Sequence, residues 1–382
     1  MTSAQVVMIG AGQLARMSQQ AAVDLDVELH VLAQRGDDPA VLAGASYRVG
    51  RPDDDDAVLA VAENAEVVTF DHELVPPGVL ARLEGAGHQV RPSPQALRFS
   101  QDKLHARRHL AEAGFPVPPW APVHGPADVA DFAAEHGWPV VLKARRGGYD
   151  GRGVLLAEGP DDVPKDLDWG TPAAPTWLAE AFVDLATELA VLVARRPSGQ
   201  SAIYPVVETN QQDGICVELV TPARVDDDVA REARDVGARV AEHIGAVGIC
   251  AVELFVSRTG SVLVNELALR PHNSGHATIE ANATSQFHQH LRAVLDWPLG
   301  ATDLLVPAAA MVNLIGVPDV PEPDRNLPLA LEQPGAHVHL YAKQSRPGRK
   351  IGHVTVLAGT VEEALAEARA ARDALLSPGR SR

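Results

Sequence analysis

The stretch from Val6 to Leu25 constrains the fold more than any other part of the chain. A short apolar run over 6–9 leads into Gly10-Ala11-Gly12-Gln13-Leu14-Ala15, and Leu14, Met17, Ala21 and Leu25 then recur at helical spacing. A buried strand, a glycine turn and a helix in that order are the first half of a βαβ unit, which commits the N-terminus to a parallel sheet. The turn matches Gly-x-Gly-x-x-Gly/Ala, and glycines there let a helix N-terminus come close to a phosphate. The second strand, over 27–33, ends at Gln34, where an NAD-binding fold would carry an acid for the ribose hydroxyls, so NAD is not the expected cofactor. A third strand over 66–70 runs into Asp71-His72-Glu73, and strands alternate with helices to about residue 95. The acids from Asp53 to Asp56 read as a solvated helix start, because carboxylates are favourable in a first turn.

Charge and composition exclude several classes of function. Fifty acidic against 33 basic residues give a net charge of -17, which is unsuited to a nucleic-acid partner. The longest apolar stretch, over 304–317, contains Pro307 and Asn313 and is too short for a membrane helix. No basic region precedes the first apolar run, so a signal peptide is not expected. The two cysteines, Cys216 and Cys250, lie in apolar surroundings and fit core packing in a reducing, cytoplasmic setting.

Five prolines between Phe115 and Pro126 predict a stiff connection, after which a strand over 138–143 ends at Lys143. The segment Ala144-Arg145-Arg146-Gly147-Gly148-Tyr149-Asp150-Gly151-Arg152-Gly153 follows, with four glycines in seven residues and arginines beside them. Such a loop suits backbone N–H groups folding over phosphates. It is neither a Walker A loop, since no Gly-Lys-Ser/Thr follows, nor a kinase loop, since the lysine precedes the glycines.

Two apolar runs over 249–267 flank Ser257-Arg258-Thr259-Gly260. A hairpin centred between Thr259 and Gly260 sets Glu253 opposite Glu266, with Cβ atoms about 5 Å apart. Carboxylates that close repel unless one is protonated or a cation lies between them. A hard cation such as Mg²⁺, which takes a few carboxylates together with phosphate oxygens, is the expected occupant. The histidines at 272, 276, 288, 290, 337 and 339 lack the companions and spacing of a zinc site.

Lys143, the glycine loop and the Glu253/Asn265-Glu266 pair, in this order, resemble the ATP-grasp superfamily. Downstream, the run from Asn265 through Arg270-Pro271-His272-Asn273-Ser274-Gly275-His276 resembles the N5-carboxyaminoimidazole ribonucleotide synthetases. So does Tyr341-Ala342-Lys343-Gln344-Ser345-Arg346-Pro347-Gly348-Arg349-Lys350-Ile351-Gly352-His353. This likeness spans nearly the whole chain.

The resemblance implies an α/β and α+β architecture: an N-terminal Rossmann-like parallel domain (1–98), an ATP-grasp domain (99–298, its lid about 120–190) and a small C-terminal β-rich domain (299–382). It implies a cytoplasmic homodimer that uses ATP, Mg²⁺ and bicarbonate to carboxylate 5-aminoimidazole ribonucleotide in purine biosynthesis. Lys103 and Lys143 would contact ATP phosphates under a loop of Gly148, Tyr149, Asp150, Gly151, Arg152 and Gly153. Adenine would lie along Glu180-Ala181-Phe182-Val183, Glu188 would bind the ribose, and Gln211 and Asn265 would complete the site. Gln211 departs from the family, where a histidine is common. Glu253 and Glu266 would hold the metal. The ribonucleotide would meet Gln13, Leu14, Glu73, Tyr149, Asp150, Arg270, His272, Asn273, Ser274, Lys343, Arg346, Arg349 and Lys350. Lys143, Asp150, Arg270 and His272 would carry the chemistry. Four basic residues and no acid from Lys343 to Lys350 agree with a phosphate site. The alternative is a sister ligase such as the formate-dependent glycinamide ribonucleotide transformylase.

Overall fold

The computed structural model describes residues 3–148, 152–171 and 173–377. Strands β1 (Gln5–Ile9), β2 (Glu28–Ala33), β3 (Ser46–Val49) and β4 (Val67–Phe70) form a parallel sheet in the order β3-β2-β1-β4. Helices α1 (Gln13–Asp24), α2 (Pro39–Leu42) and α3 (Asp55–Ala62) connect them. Leu14, Met17 and Ala21 are buried on α1, as the spacing predicts. Asp54 caps α3 by accepting from the N–H groups of Asp56 and Ala57 at 3.1 Å. The sequence reading finds three strands here and misses β3, every residue of which is exposed and so carries no apolar pattern. Because β1 lies between β2 and β4, the connections diverge, and a crevice opens at the carboxyl ends of β1 and β4.

Helices α4 (Pro77–Gly85), α5 (Pro94–Gln101) and α6 (Lys103–Glu112) lead to a second sheet. It comprises β5 (Trp120–Val123), β6 (Val140–Ala144), β7 (Val154–Ala157) and β10 (Trp177–Ala181) in the order β5-β10-β6-β7, beside α7 (Pro126–His136). A short ribbon, β8 (Gly170–Thr171) and β9 (Ala174–Pro175), precedes β10. The proline-rich stretch expected as a connection contains β5. As an edge strand, β5 tolerates Pro122 because its outer side needs no donor.

The body is one sheet of nine strands. They are β11 (Leu185–Arg195), β12 (Ser201–Ile203), β13 (Val207–Gln212), β14 (Ile215–Thr221), β15 (Gly248–Ser257), β16 (Val262–Ala268), β17 (Ala308–Ile315), β18 (Ala336–Leu340) and β19 (Lys350–Ala358). The order is β16-β15-β11-β13-β14-β17-β19-β18, with β12 on β11. The C-terminal strands therefore extend the central sheet through β14–β17 pairing and do not form a sheet of their own. Helix α8 (Asp227–His243) packs on β11 and β15, and α12 (Val361–Leu375) covers β17 and β19 with Ala364, Ala368 and Leu375. Between them in sequence lie α9 (Thr278–Ala281), α10 (Gln286–Val294) and α11 (Leu327–Ala330). One core joins α1 to Phe287 and Leu291 of α10 and to Tyr341, so all three parts of the chain meet at the crevice.

Candidate active site

A cavity of about 1240 Å³ runs from the glycine turn after β1, past β6, β15 and β16, to the segment before β19. That exceeds a single small-ligand pocket, roughly 300–1,000 Å³, and gives room for two ligands end to end.

At one end the local feature that matters is a β-bulge. Glu253 pairs with Glu266, yet the next pair toward the turn is Leu254 with Val264, leaving Asn265 as an extra residue. The turn-side pairs are thus one residue off the expected register, and the bulge restores it at the glutamates. In a regular strand, neighbouring side chains point to opposite faces. The bulge turns both Asn265 and Glu266 into the cavity, where Asn265 Oδ1 accepts from Lys143 Nζ at 3.0 Å and Glu266 pairs with Lys103.

Lys143, buried on β6, also meets Glu180 Oε2 at 2.6 Å, and Glu180 Oε1 accepts from Arg107 Nε at 2.5 Å. Burial alone would raise the Glu180 pKa, but Arg107 and Lys143 outweigh it and hold it at about 2. Burial lowers the Lys143 pKa, with Glu180 opposing the shift. The Glu180 side chain is therefore committed beneath the site, and Phe182 and Val183 beyond it face the cavity. Glu188 is pushed up to about 7 by burial and by the Glu253 charge. Glu188 and Gln211 both line this end.

Glu253 and Glu266 are the carboxylates placed to share a cation. Among the described residues, no cluster of three or more metal-ligating side chains occurs. Two hard oxygen donors at paired strand positions suit Mg²⁺, which would complete its shell from phosphate oxygens and water.

The loop root is tightly built. A Cβ on Gly148 would stand 2.6 Å from the Arg152 carbonyl oxygen, so the backbone segments flanking the loop touch there. Gly153 accepts from the Ala144 N–H at 2.7 Å, and neither Arg152 nor Gly153 lines the cavity. Tyr149, Asp150 and Gly151 lie outside the described residues. Arg145, which the sequence places beside the glycine loop, is spent on the fully buried Asp102, which its Nε and Nη2 reach at 2.9 and 2.7 Å. Arg146 Nη2 also reaches Asp102, at 2.7 Å, while lining the cavity.

At the other end, the glycine turn corrects a second expectation. Its anion is internal: Gly12 N–H donates to Asp71 Oδ2 at 2.6 Å, in the place proposed for a phosphate. Burial raises the Asp71 pKa. Gln13 contacts Lys343, and Glu73 binds Arg270 Nε at 2.7 Å and Leu269 N–H at 3.1 Å. Leu14 is mainly a core residue. His272 Nδ1 meets Ser274 Oγ at 2.9 Å, and Nε2 lies 3.3 Å from Glu253 Oε1. Burial, with Arg270 and Lys350 nearby, holds the His272 pKa well below its usual range, so the ring is neutral. It bridges the metal-type carboxylate and the second ligand space.

Ser274 thus orients His272. The Asn273 amide is occupied in a reciprocal pair with Asn313 of β17, at 2.9 and 2.8 Å, so its side chain ties the loop to the C-terminal strands. Lys343, Arg349 and Lys350 line the cavity; Arg346 does not, and its guanidinium donates to Gln344. Of the other histidines, His290 bonds Thr69 and Ile249, His288 bonds Ser285 and Asp24, and His276 and His339 stack on His353 with ring centroids 4.9 and 4.4 Å away. Sequence reasoning misses Asp71, Asp102, Arg107 and Asn313. Asp102 carried a readable signal, an Asp just before a helix, whose side chain caps His105 N–H at 3.1 Å.

A lid sheet over a body sheet, with Lys143 from one and a carboxylate pair from the other facing a common cleft, defines an ATP-grasp enzyme. Residues 108–287 match the ATP-grasp domain family, 3–101 the ribonucleotide synthetase preATP-grasp domain, and 309–367 the phosphoribosylaminoimidazole carboxylase C-terminal domain. The chain is 47% identical over 365 residues to the N5-carboxyaminoimidazole ribonucleotide synthase of Mycobacterium bovis, covering 94% of this chain and 84% of that one. It is 41% identical to the Corynebacterium ammoniagenes synthase over 383 residues, covering 97% and 92%. The Aspergillus clavatus synthase, solved with ADP and 5-aminoimidazole ribonucleotide, superposes with a TM-score of 0.88 at 32% identity over 98% of each chain. The chain belongs to the N5-carboxyaminoimidazole ribonucleotide synthase family.

Proposed function

We propose that this chain carboxylates 5-aminoimidazole ribonucleotide with ATP and bicarbonate, giving N5-carboxyaminoimidazole ribonucleotide, ADP and phosphate in purine biosynthesis. The observation that carries the reading is one continuous cavity with the Lys143/Asn265/Glu266 cluster at one end and Arg270, Lys343 and Arg349 at the other. The two ends meet at the 3.3 Å approach of His272 to Glu253.

ATP phosphates would lie against Lys103 and Lys143, with the ribose at Glu188 and adenine along Ala181 to Val183. Mg²⁺, held by Glu253 and Glu266, would neutralise phosphate charge. A bicarbonate oxygen attacks the γ-phosphorus in line as the bond to ADP breaks, forming carboxyphosphate, and Lys143 stabilises the charge that develops. Arg270, held by Glu73, and neutral His272 are suited to fix the bicarbonate between the two ends. Carboxyphosphate hydrolyses in water, which gives the glycine loop its function as a cover. It releases phosphate and CO₂ beside the exocyclic amine, whose nitrogen forms the new C–N bond and loses a proton to Asp150 or to a histidine at or near His272. Lys343, Arg349 and Lys350 would bind the ribonucleotide phosphate. A cytoplasmic homodimer accompanies this reading, on family grounds.

The test is phosphate release from ATP and bicarbonate with 5-aminoimidazole ribonucleotide and, separately, with glycinamide ribonucleotide plus formate. Stimulation by the imidazole nucleotide alone is expected, and its absence overturns the reading.

A further inference from the structure

Arg107 lies on α6 one helical turn after Lys103, is 3% exposed, and does not line the cavity. It cannot touch a nucleotide, yet it ends a chain of short contacts that reaches the phosphate end: Arg107 Nε to Glu180 Oε1 at 2.5 Å, then Glu180 Oε2 to Lys143 Nζ at 2.6 Å. A buried lysine paired one-to-one with a buried carboxylate is a neutral unit, and its field on a neighbouring phosphate is that of a dipole. The adjoining Lys103 is itself paired with Glu266, and Glu253 adds a further negative charge facing Lys143. Before any Mg²⁺ is counted, side chains balanced in this way would have no net attraction for a polyanion.

We propose that Arg107 is a charge-balancing positioning residue for the nucleotide phosphates: it takes up the charge of Glu180 so that the Lys143 ammonium faces the cavity uncancelled. The three side chains together then carry one net positive charge, beside the phosphate end. Glu180 holds Lys143 in place from below while Asn265 fixes it from the side at 3.0 Å, so position and charge are set by different partners. Arginine suits the task because it stays protonated when buried and its planar fork matches a carboxylate. The proposal rests on the reading of Lys143 as a phosphate-binding group.

The experiment measures Mg-ATP affinity of the full chain by calorimetry, with KM for 5-aminoimidazole ribonucleotide as the second readout. Arg107→Met is expected to weaken ATP binding by about tenfold or more, on the scale of a charge-assisted contact, and to leave the ribonucleotide KM in place. Arg107→Lys, which keeps the charge, is expected to restore most of the affinity. The double variant Arg107→Met/Glu180→Gln removes anion and cation together, and should bind ATP more tightly than Arg107→Met alone. A role in packing alone predicts no such recovery, and a double variant no better than Arg107→Met overturns the proposal. It also serves if Arg107→Met does not fold, since a neutral pair of similar size avoids the buried unpaired charge; affinity then more than about tenfold below the parent overturns the proposal. Lys143→Met is the control. Parent-like ATP binding by it overturns the phosphate reading and this proposal with it, whereas weak binding by it beside parent-like binding by Arg107→Met overturns this proposal alone.

Discussion

Gly10→Ala tests the internal anion of the glycine turn. Gly10 has φ +108°, and a Cβ there would stand 1.7 Å from Asp71 Oδ1 and 2.9 Å from the His72 ring. Two costs follow. The backbone is held where an L residue is strained, about 1–3 kcal/mol. Asp71 must also leave its place, which breaks the 2.6 Å bond from Gly12 N–H and leaves a buried donor unpaired, a further cost of about 1–3 kcal/mol. Gly10→Ala should therefore destabilise the chain by about 3–5 kcal/mol, measured by urea unfolding followed through tryptophan fluorescence. In an Asp71→Ala background the second cost has already been met and the steric conflict with Asp71 is gone. There the same substitution should cost about 2 kcal/mol less. Equal costs in the two backgrounds, or a Gly10→Ala variant within about 0.5 kcal/mol of the parent, would refute the reasoning.

Glu266→Gln should lower kcat by about 100-fold or more through loss of the metal-type carboxylate, with binding of the ribonucleotide retained in equilibrium titration. Arg349→Ala should raise the KM for the ribonucleotide about tenfold while Arg346→Ala leaves it near the parent value, because only the first lines the cavity. Parent-like KM in the Arg349 variant would count against the phosphate assignment. Glu180 titrates at about 2 against an ordinary 4.5, so its pairing stabilises the fold above about pH 4.5 and the benefit is lost as pH falls toward 2. The amount is about 3 kcal/mol, and Glu180→Gln should flatten the acid limb of a stability–pH curve by that order. An unchanged acid limb would show that the pair is not ionised as described.

What could be read from the sequence is what neighbouring residues dictate. The strand, turn and helix at the N-terminus, the Asp54 cap and the apolar hairpin strands all carry local periodicity or capping chemistry. Strand β3 does not, since its four exposed residues have no buried face to reveal it. The hairpin shows both sides of this limit. The opposition of Glu253 and Glu266 was legible, but the turn is centred on Thr259 and not between Thr259 and Gly260, and only the bulge at Asn265 brings the glutamates together. A bulge is a long-range compromise between two strands and leaves no reliable local mark. The partner of Arg145 was hidden for a related reason. A basic residue beside a glycine loop suits phosphate equally well as a buried carboxylate, and its true partner, Asp102, lies 43 residues away. The pairs Arg107–Glu180 and Asn273–Asn313 are likewise created by tertiary packing alone.

The continuity of the central sheet has a bearing on where the chain can be divided. Four residues of β14, Glu218 to Thr221, pair with β17, and Arg369 of the last helix reaches Glu218 Oε2 at 2.6 Å. A polypeptide ended at residue 298 would keep every strand of the nucleotide cleft but leave β14 with an open ladder beside Leu219 and Val220. Bare edges of that kind recruit other edges. The shortened protein should self-associate or precipitate, and gel filtration of it would show the segment after residue 298 acting as a permanent chaperone for the middle of the chain.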